Sequence, residues 1–196
     1  MCARYIISGN TLLDIKRKTR TREKGINWKR TGDVRPSQKS ILMTGDRYDL
    51  AAREMIWGFP PAAGSGLMIN ARSETALQKP SFAQSVARRR CVVAAEGFYE
   101  WDWAGNQFTF TVPDRPVLYM AGFYNLFGGE DRFILLTTAA NESMEPVHDR
   151  MPLLLAEEDL EDWVFEDGAT ESFLAARPGP LRRVCEFEQL AFHFEH

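Results

Sequence analysis

The sequence predicts an α+β fold in which helices flank antiparallel strands. Two observations carry that expectation. From Cys91 onward, short runs rich in β-branched and aromatic residues recur with turn signals between them. The helical patterns stand beside these runs instead of alternating with them, which argues against a βαβ repeat.

Taken in order, Arg4–Ser8 reads as a first strand. Thr11 to about Lys24 sets Leu12, Leu13 and Ile15 among lysines and arginines, a helical pattern that Asn10 or Thr11 can cap. Residues 26–40 are polar and contain Pro36, so they read as a loop. Ile41–Met43 and Arg53–Trp57 read as strands around a Gly45-Asp46 turn, and Pro60–Gly66 as a loop. Lys79–Arg88 is a helix with Pro80 near its start, where a missing N–H costs nothing. Cys91–Ala94, Gly97–Trp103, Gln107–Val112, Val117–Tyr124 and Arg132–Thr138 then follow as successive strands, with turns at Gly105-Asn106, Pro113-Asp114 and Gly128-Gly129. Glu157–Phe165 is an acidic amphipathic helix, Thr170–Ala176 a shorter one, and Leu181–His196 adds a last strand.

The 196 residues suit a single domain, 1–196. Hydrophobic content of 44% against 26% charged excludes a disordered chain. Apolar runs such as Leu153–Ala156 fall far short of the roughly 20 residues that span a bilayer, and no secretory pattern opens the sequence. A soluble, cytoplasmic monomer is expected, with no membrane partner. Cys2, Cys91 and Cys185 form no C-x-x-C pair, so neither a disulfide framework nor a structural zinc is expected. No metal cluster or glycine-rich phosphate loop is visible, and no cofactor is expected.

The net charge of −3 hides an asymmetry. Residues 1–95 hold 18 Lys/Arg against 7 Asp/Glu, whereas residues 96–196 hold 6 against 20. Lys16, Arg17, Lys18, Arg20, Arg22 and Lys24 form one basic cluster and Arg88, Arg89 and Arg90 a second. Clusters in the same half as Cys2 point to a phosphate-binding surface.

Methionine ahead of a small residue is normally removable, which leaves Cys2 as the first residue. Its α-amine (about 7.7–8.0) and thiol (about 8.5) would then both be partly deprotonated near neutral pH. Such a 1,2-aminothiol can condense with an aldehyde to a Schiff base and close as a thiazolidine.

Three further segments are dense in residues that packing alone rarely groups: Ile69-Asn70-Ala71-Arg72-Ser73-Glu74-Thr75, Glu96-Gly97-Phe98-Tyr99-Glu100-Trp101 and Pro146-Val147-His148-Asp149-Arg150-Met151-Pro152. With Met1-Cys2-Ala3-Arg4, Trp57-Gly58-Phe59 and Arg90-Cys91-Val92-Val93, they resemble the SOS response-associated peptidase (SRAP) family over roughly residues 2–155. The resemblance implies antiparallel barrel-like sheets flanked by helices and a groove for single-stranded DNA. It also implies covalent capture of abasic sites, whose opened sugar exposes an aldehyde. Cys2 looks like the nucleophile, Asn70 the group that positions it, and Glu100 and His148 the acid/base pair. Glu96 is given a structural role, and strand alternation should turn Glu100 away from Tyr99 and Trp101. Arg4, Arg72 and Arg150 match positions expected to bind phosphate, unless Glu74 or Asp149 engage them. Trp57 and Trp101 are candidates for stacking on bases.

Ala3 stands where the family usually has Gly, and Asp33 replaces Asn in an N-x-x-P motif. The stretch after Glu157 is short and acidic. Two other readings remain: a thiol peptidase or N-terminal-nucleophile hydrolase, and a non-covalent single-stranded nucleic-acid-binding module. Autocatalytic removal of Met1 fits the first as maturation.

Overall fold

A computed structural model describes residues 2–61 and 64–185. The chain opens with β1 (Tyr5–Ile7) and α1 (Gly9–Lys18), followed by β2 (Thr21–Arg22) and β3 (Gly32–Val34). A long hairpin, β4 (Lys39–Asp46) and β5 (Asp49–Trp57), leads to β6 (Asn70–Arg72), α2 (Ser73–Ala76) and α3 (Pro80–Arg88). Five strands succeed one another: β7 (Arg90–Ala95), β8 (Gly97–Trp101), β9 (Gln107–Thr111), β10 (Leu118–Phe127) and β11 (Glu130–Ala139). After β12 (Arg150–Pro152) and β13 (Leu154–Leu155) come α4 (Leu160–Phe165), α5 (Thr170–Leu174) and β14 (Arg182–Cys185).

Five of these strands close on themselves. β5, β4, β7, β10 and β11 pair antiparallel in that order, and a short parallel contact shuts the ring, with Ile56 opposite Arg132 and Trp57 opposite Phe133. Every residue of β7 is buried, because neighbouring strands take its edges and α3 and α4 pack against it. A second sheet, ordered β14-β9-β8-β1-β3, is antiparallel throughout. Tyr5 of β1 joins the two sheets, its ring 5.1 Å from Trp57, which stacks in turn on Phe133 at 6.1 Å. Gly97 is required where β8 crosses β9: a Cβ there would lie 2.7 Å from the Phe110 carbonyl oxygen.

Near one end of the ring β10 and β11 part, and residues 150–155 enter the gap. β12 pairs with β11 and β13 with β10, and Leu153 bonds to both strands. On its other side β11 accepts β6 in parallel, setting Asn70 opposite Leu135 and Arg72 opposite Thr137. The segments holding Asn70 and His148 are therefore both mounted on β11.

Several expectations need correction. The first helix ends at Lys18, and Ser8 caps it in a reciprocal box with Thr11; the residues beyond form β2 against β5. The polar stretch 26–40 holds β3, whose pairing to β1 polarity alone did not reveal. The first hairpin turns at Arg47-Tyr48, two residues past the expected place, with Arg47 at φ 56°. The last strand is seen at Arg182–Cys185, and the rest of the predicted strand lies outside the described residues. No helix among the described residues is long and apolar enough to cross a membrane.

Candidate active site

Cys2 precedes β1 and is fully buried. Its thiol donates to the Arg4 carbonyl at 3.8 Å. Burial, and next the nearby Glu100 carboxylate, push the thiol up to about 12. Burial thus works against the partial ionisation that the sequence suggests for this thiol.

Asn70 holds the same residue from the barrel side, its Nδ2 donating to the Cys2 carbonyl at 2.9 Å. The chain just before Asn70 is fixed by the Trp57 indole, which donates to the Ile69 carbonyl at 3.0 Å. The other end of the Asn70 amide, Oδ1, is buried and accepts no hydrogen bond among the described residues.

Glu100 comes from the second sheet. Alternation along β8 turns it inward, 5% exposed and opposite Phe108, while Tyr99 and Trp101 face outward. Glu96 is not on the strand; it is exposed at the bend between β7 and β8. The structure thus brings Cys2, Asn70 and Glu100 together at the junction of the two sheets.

His148 sits just before β12. Its Nδ1 accepts the Arg150 N–H at 3.0 Å and lies 2.8 Å from the Asp149 carboxylate. These two contacts fix the orientation of the ring beside β12.

The arginines differ. Arg4 is paired to Asp33, lies 4.3 Å over the Tyr99 ring and donates to Gln107 at 3.3 Å. Arg150 grips Glu74 with two bonds of 2.6 and 2.9 Å and also donates to the Thr137 carbonyl at 2.6 Å. Arg72 is exposed and makes no ion pair among the described residues, which leaves its fork open to an anion.

Trp57 must be corrected. It is 0% exposed, packed between Tyr5 and Phe133, so no base can reach its ring. Trp101 is partly exposed and remains available. The second basic cluster is also structural. Arg90, 3% exposed, donates to the carbonyls of Val86, Ala87, Trp163 and Val164 and to Asp167, which Arg88 also engages. In the first cluster Lys18 pairs with Asp14 and Glu157, and Lys16 lies over Trp28. A cavity of about 780 Å³ runs between that cluster and Glu157–Asp162. Lys18, Arg53, Arg88 and Arg90 thus join the basic half of the chain to acids of the other half.

Sequence reasoning missed two features. Asp33 drew notice as a departure, but its pairing with Arg4 needed the β1–β3 register. Trp103 passed as the end of a strand, although a tryptophan inside Asp102-Trp103-Ala104-Gly105-Asn106 is misplaced for a core residue.

The family model for SOS response associated peptidase (SRAP) matches residues 1–185. The chain belongs to the SRAP family. SRAP relatives include YoqW of Bacillus subtilis (strain 168), an abasic site processing protein 31% identical over 148 residues. That match covers 67% of this chain and 65% of YoqW, just under two thirds of the relative's length. YedK of Escherichia coli (strain K12) is 28% identical over 74% of this chain and 69% of its own. HMCES of Gallus gallus is 28% identical over 83% of this chain and 58% of its own. Both carry the same description. The SRAP fold is shared with a solved protein of Bordetella bronchiseptica, at TM-score 0.75 and 23% identity, covering 94% of this chain and 99% of that one. A second, from Bacteroides thetaiotaomicron, has TM-score 0.77 and 22% identity, covering 94% and 91%.

Proposed function

We propose that this SRAP chain recognises abasic sites in single-stranded DNA and captures them covalently through Cys2. The observation that carries the reading is the hold on Cys2: Asn70 binds its carbonyl, and the charge of the inward-facing Glu100 acts on its thiol. Removal of Met1, by the chain itself, frees the α-amine. The amine attacks the aldehyde of the opened sugar to give a carbinolamine, which loses water to an imine. The thiol sulfur then adds to the imine carbon, and its proton passes to the ring nitrogen. One water is lost overall.

The site suits each step. A buried acceptor at Asn70 Oδ1 suits an amine N–H donor beside the Cys2 main chain. Dehydration and ring closure need proton transfer, which Glu100 and His148 supply, a contribution of about 10²–10⁴-fold. Arg72 binds a neighbouring phosphate, and Arg4 and Arg150, each already paired to an acid, are the further candidates. A thiol peptidase acting on other chains has less support, because the relatives of this chain are described as abasic site processing proteins.

Mature protein incubated with single-stranded DNA bearing one abasic site should give an adduct that survives denaturation. Cys2→Ala should give none, and neither should a chain that retains Met1. An adduct from the unprocessed chain would overturn the aminothiol mechanism, and salt-sensitive binding without any adduct would support a binding module.

A further inference from the structure

The β8–β9 hairpin ends in a turn whose geometry is over-determined. The Asp102 carboxylate accepts from the N–H groups of Ala104 and Asn106 at 2.9 and 2.8 Å and from the Asn106 side chain at 2.9 Å. The main chains of Asp102 and Asn106 close the turn at 3.1 Å. These bonds, led by that of Asn106, hold the Asp102 carboxyl below its usual range. On this turn stands Trp103, whose side chain is 100% exposed. Tryptophan has the largest apolar surface of any residue, and an isolated folded chain gains nothing by presenting all of it to water on a fixed support.

The position of Trp103 gives it a partner. Tyr99 and Trp101 alternate outward along β8 with ring centroids 6.4 Å apart, and Trp103 follows two residues on. Arg4 lies over Tyr99, and its carbonyl accepts both the Tyr99 N–H and the Cys2 thiol. The aromatic series therefore begins at the backbone that carries Cys2 and leads outward to the hairpin tip. At about 3.3 Å per residue the two strand steps from Tyr99 to Trp101 cover about 7 Å, and Trp103 stands beyond them on the turn.

We propose that Trp103 is a stacking platform for a base of single-stranded DNA that flanks the residue held at Cys2. The proposal rests on the reading of the chain as a single-strand binder. Gln107 and Thr109, opposite Trp101 and Tyr99 on β9, line the same face with groups able to bond sugar or phosphate. Indole on a rigid turn suits this role, since any base offers a face and little freedom is lost on binding.

The test compares Trp103→Ala and Trp103→Tyr with the unaltered protein, using fluorescent single strands that extend four nucleotides from an abasic analogue on the 5′ side only, the 3′ side only, or neither. Trp103→Ala should weaken binding about 5- to 150-fold for one of the two extended strands, the range expected for one lost stack. Trp103→Tyr should retain most of the affinity, and the strand without extensions should be unaffected. Affinity of Trp103→Ala unchanged from that of the unaltered protein on all three strands would overturn the proposal and leave Trp103 to a different macromolecule. Equal loss on all three would also overturn it, since a local stack cannot act without a base to meet. Failure of the underlying reading would look different: the unaltered protein would bind none of the strands.

Discussion

Arg4 and Asp33 meet through a single carboxylate oxygen, which accepts from Arg4 Nε at 2.7 Å and also from a terminal guanidinium nitrogen. The pair joins β3 to the residue ahead of β1 and steadies the guanidinium over Tyr99. It also cancels a positive charge at a position expected to meet phosphate. Asp33→Asn keeps an acceptor for Arg4 while removing the negative charge. We expect tighter single-strand binding and a plot of log affinity against log salt steeper by about 0.7. An unchanged slope would mean that Arg4 never faces the backbone of the nucleic acid.

Glu100 acts on Cys2 in two opposed ways. Its charge helps to keep the thiol protonated, yet proton transfer during capture is assigned to it. Glu100→Gln should therefore lower the pH at which Cys2 is alkylated and at the same time slow adduct formation by about 10²–10⁴-fold. Faster capture in the variant would show that the carboxylate only restrains the thiol.

The two tryptophans of the motif segments should separate cleanly. Trp57→Ala removes a fully buried ring and should cost about 3–5 kcal/mol of stability in urea unfolding. Trp101→Ala should leave stability within about 0.5 kcal/mol and weaken single-strand binding by about 1–3 kcal/mol. A folded, stable Trp57→Ala protein would contradict the packing described above.

Arg90 is a buried cation whose donors serve four carbonyls and Asp167. Arg90→Ala strands those acceptors and should cost about 3–5 kcal/mol, with α3 and α4 loosened first in hydrogen exchange. Nucleic-acid binding per folded molecule should not change. A selective loss of binding would restore Arg90 to the phosphate surface.

Arg150 holds the Glu74 carboxyl below its ordinary value of about 4.5. A depressed acid stabilises the fold above that value, and its contribution is lost as pH falls through the lower, folded value. Because Glu74 is 46% exposed, the effect is small, about 0.5 kcal/mol after screening. Glu74→Gln should thus lower the melting temperature slightly at pH 7, and the difference should shrink as the pH falls below 4.5. A difference that grows toward acid would reverse the sign of the pairing.

The strands after Cys91 were legible because they alternate or are wholly apolar, and Gly105-Asn106, Pro113-Asp114 and Gly128-Gly129 mark turns between several of them. Alternation also turned Glu100 away from its aromatic neighbours correctly. What escaped the sequence depended on partners far along the chain. β3 is three polar-looking residues that become a strand only against β1, and β2 exists only against β5. The basic runs misled for the same reason: Arg88 and Arg90 meet Asp167, and Lys18 meets Glu157, across separations no local pattern reports. Asn70, Cys2 and Glu100 come from three different strands or their approaches, so motif resemblance, and not spacing, pointed to them.

The short parallel contact that shuts the ring has a consequence for synthesis. Asn70 docks through β6 onto β11, and Trp57, which steadies it, packs on Phe133. During translation Cys2 leaves the ribosome more than half a chain before the strand that completes its surroundings. In that interval the residue is an ordinary solvated thiol, open to any aldehyde or oxidant it meets. Closure of the ring is what withdraws it from this indiscriminate chemistry, so slow folding would appear first as adventitious modification of Cys2.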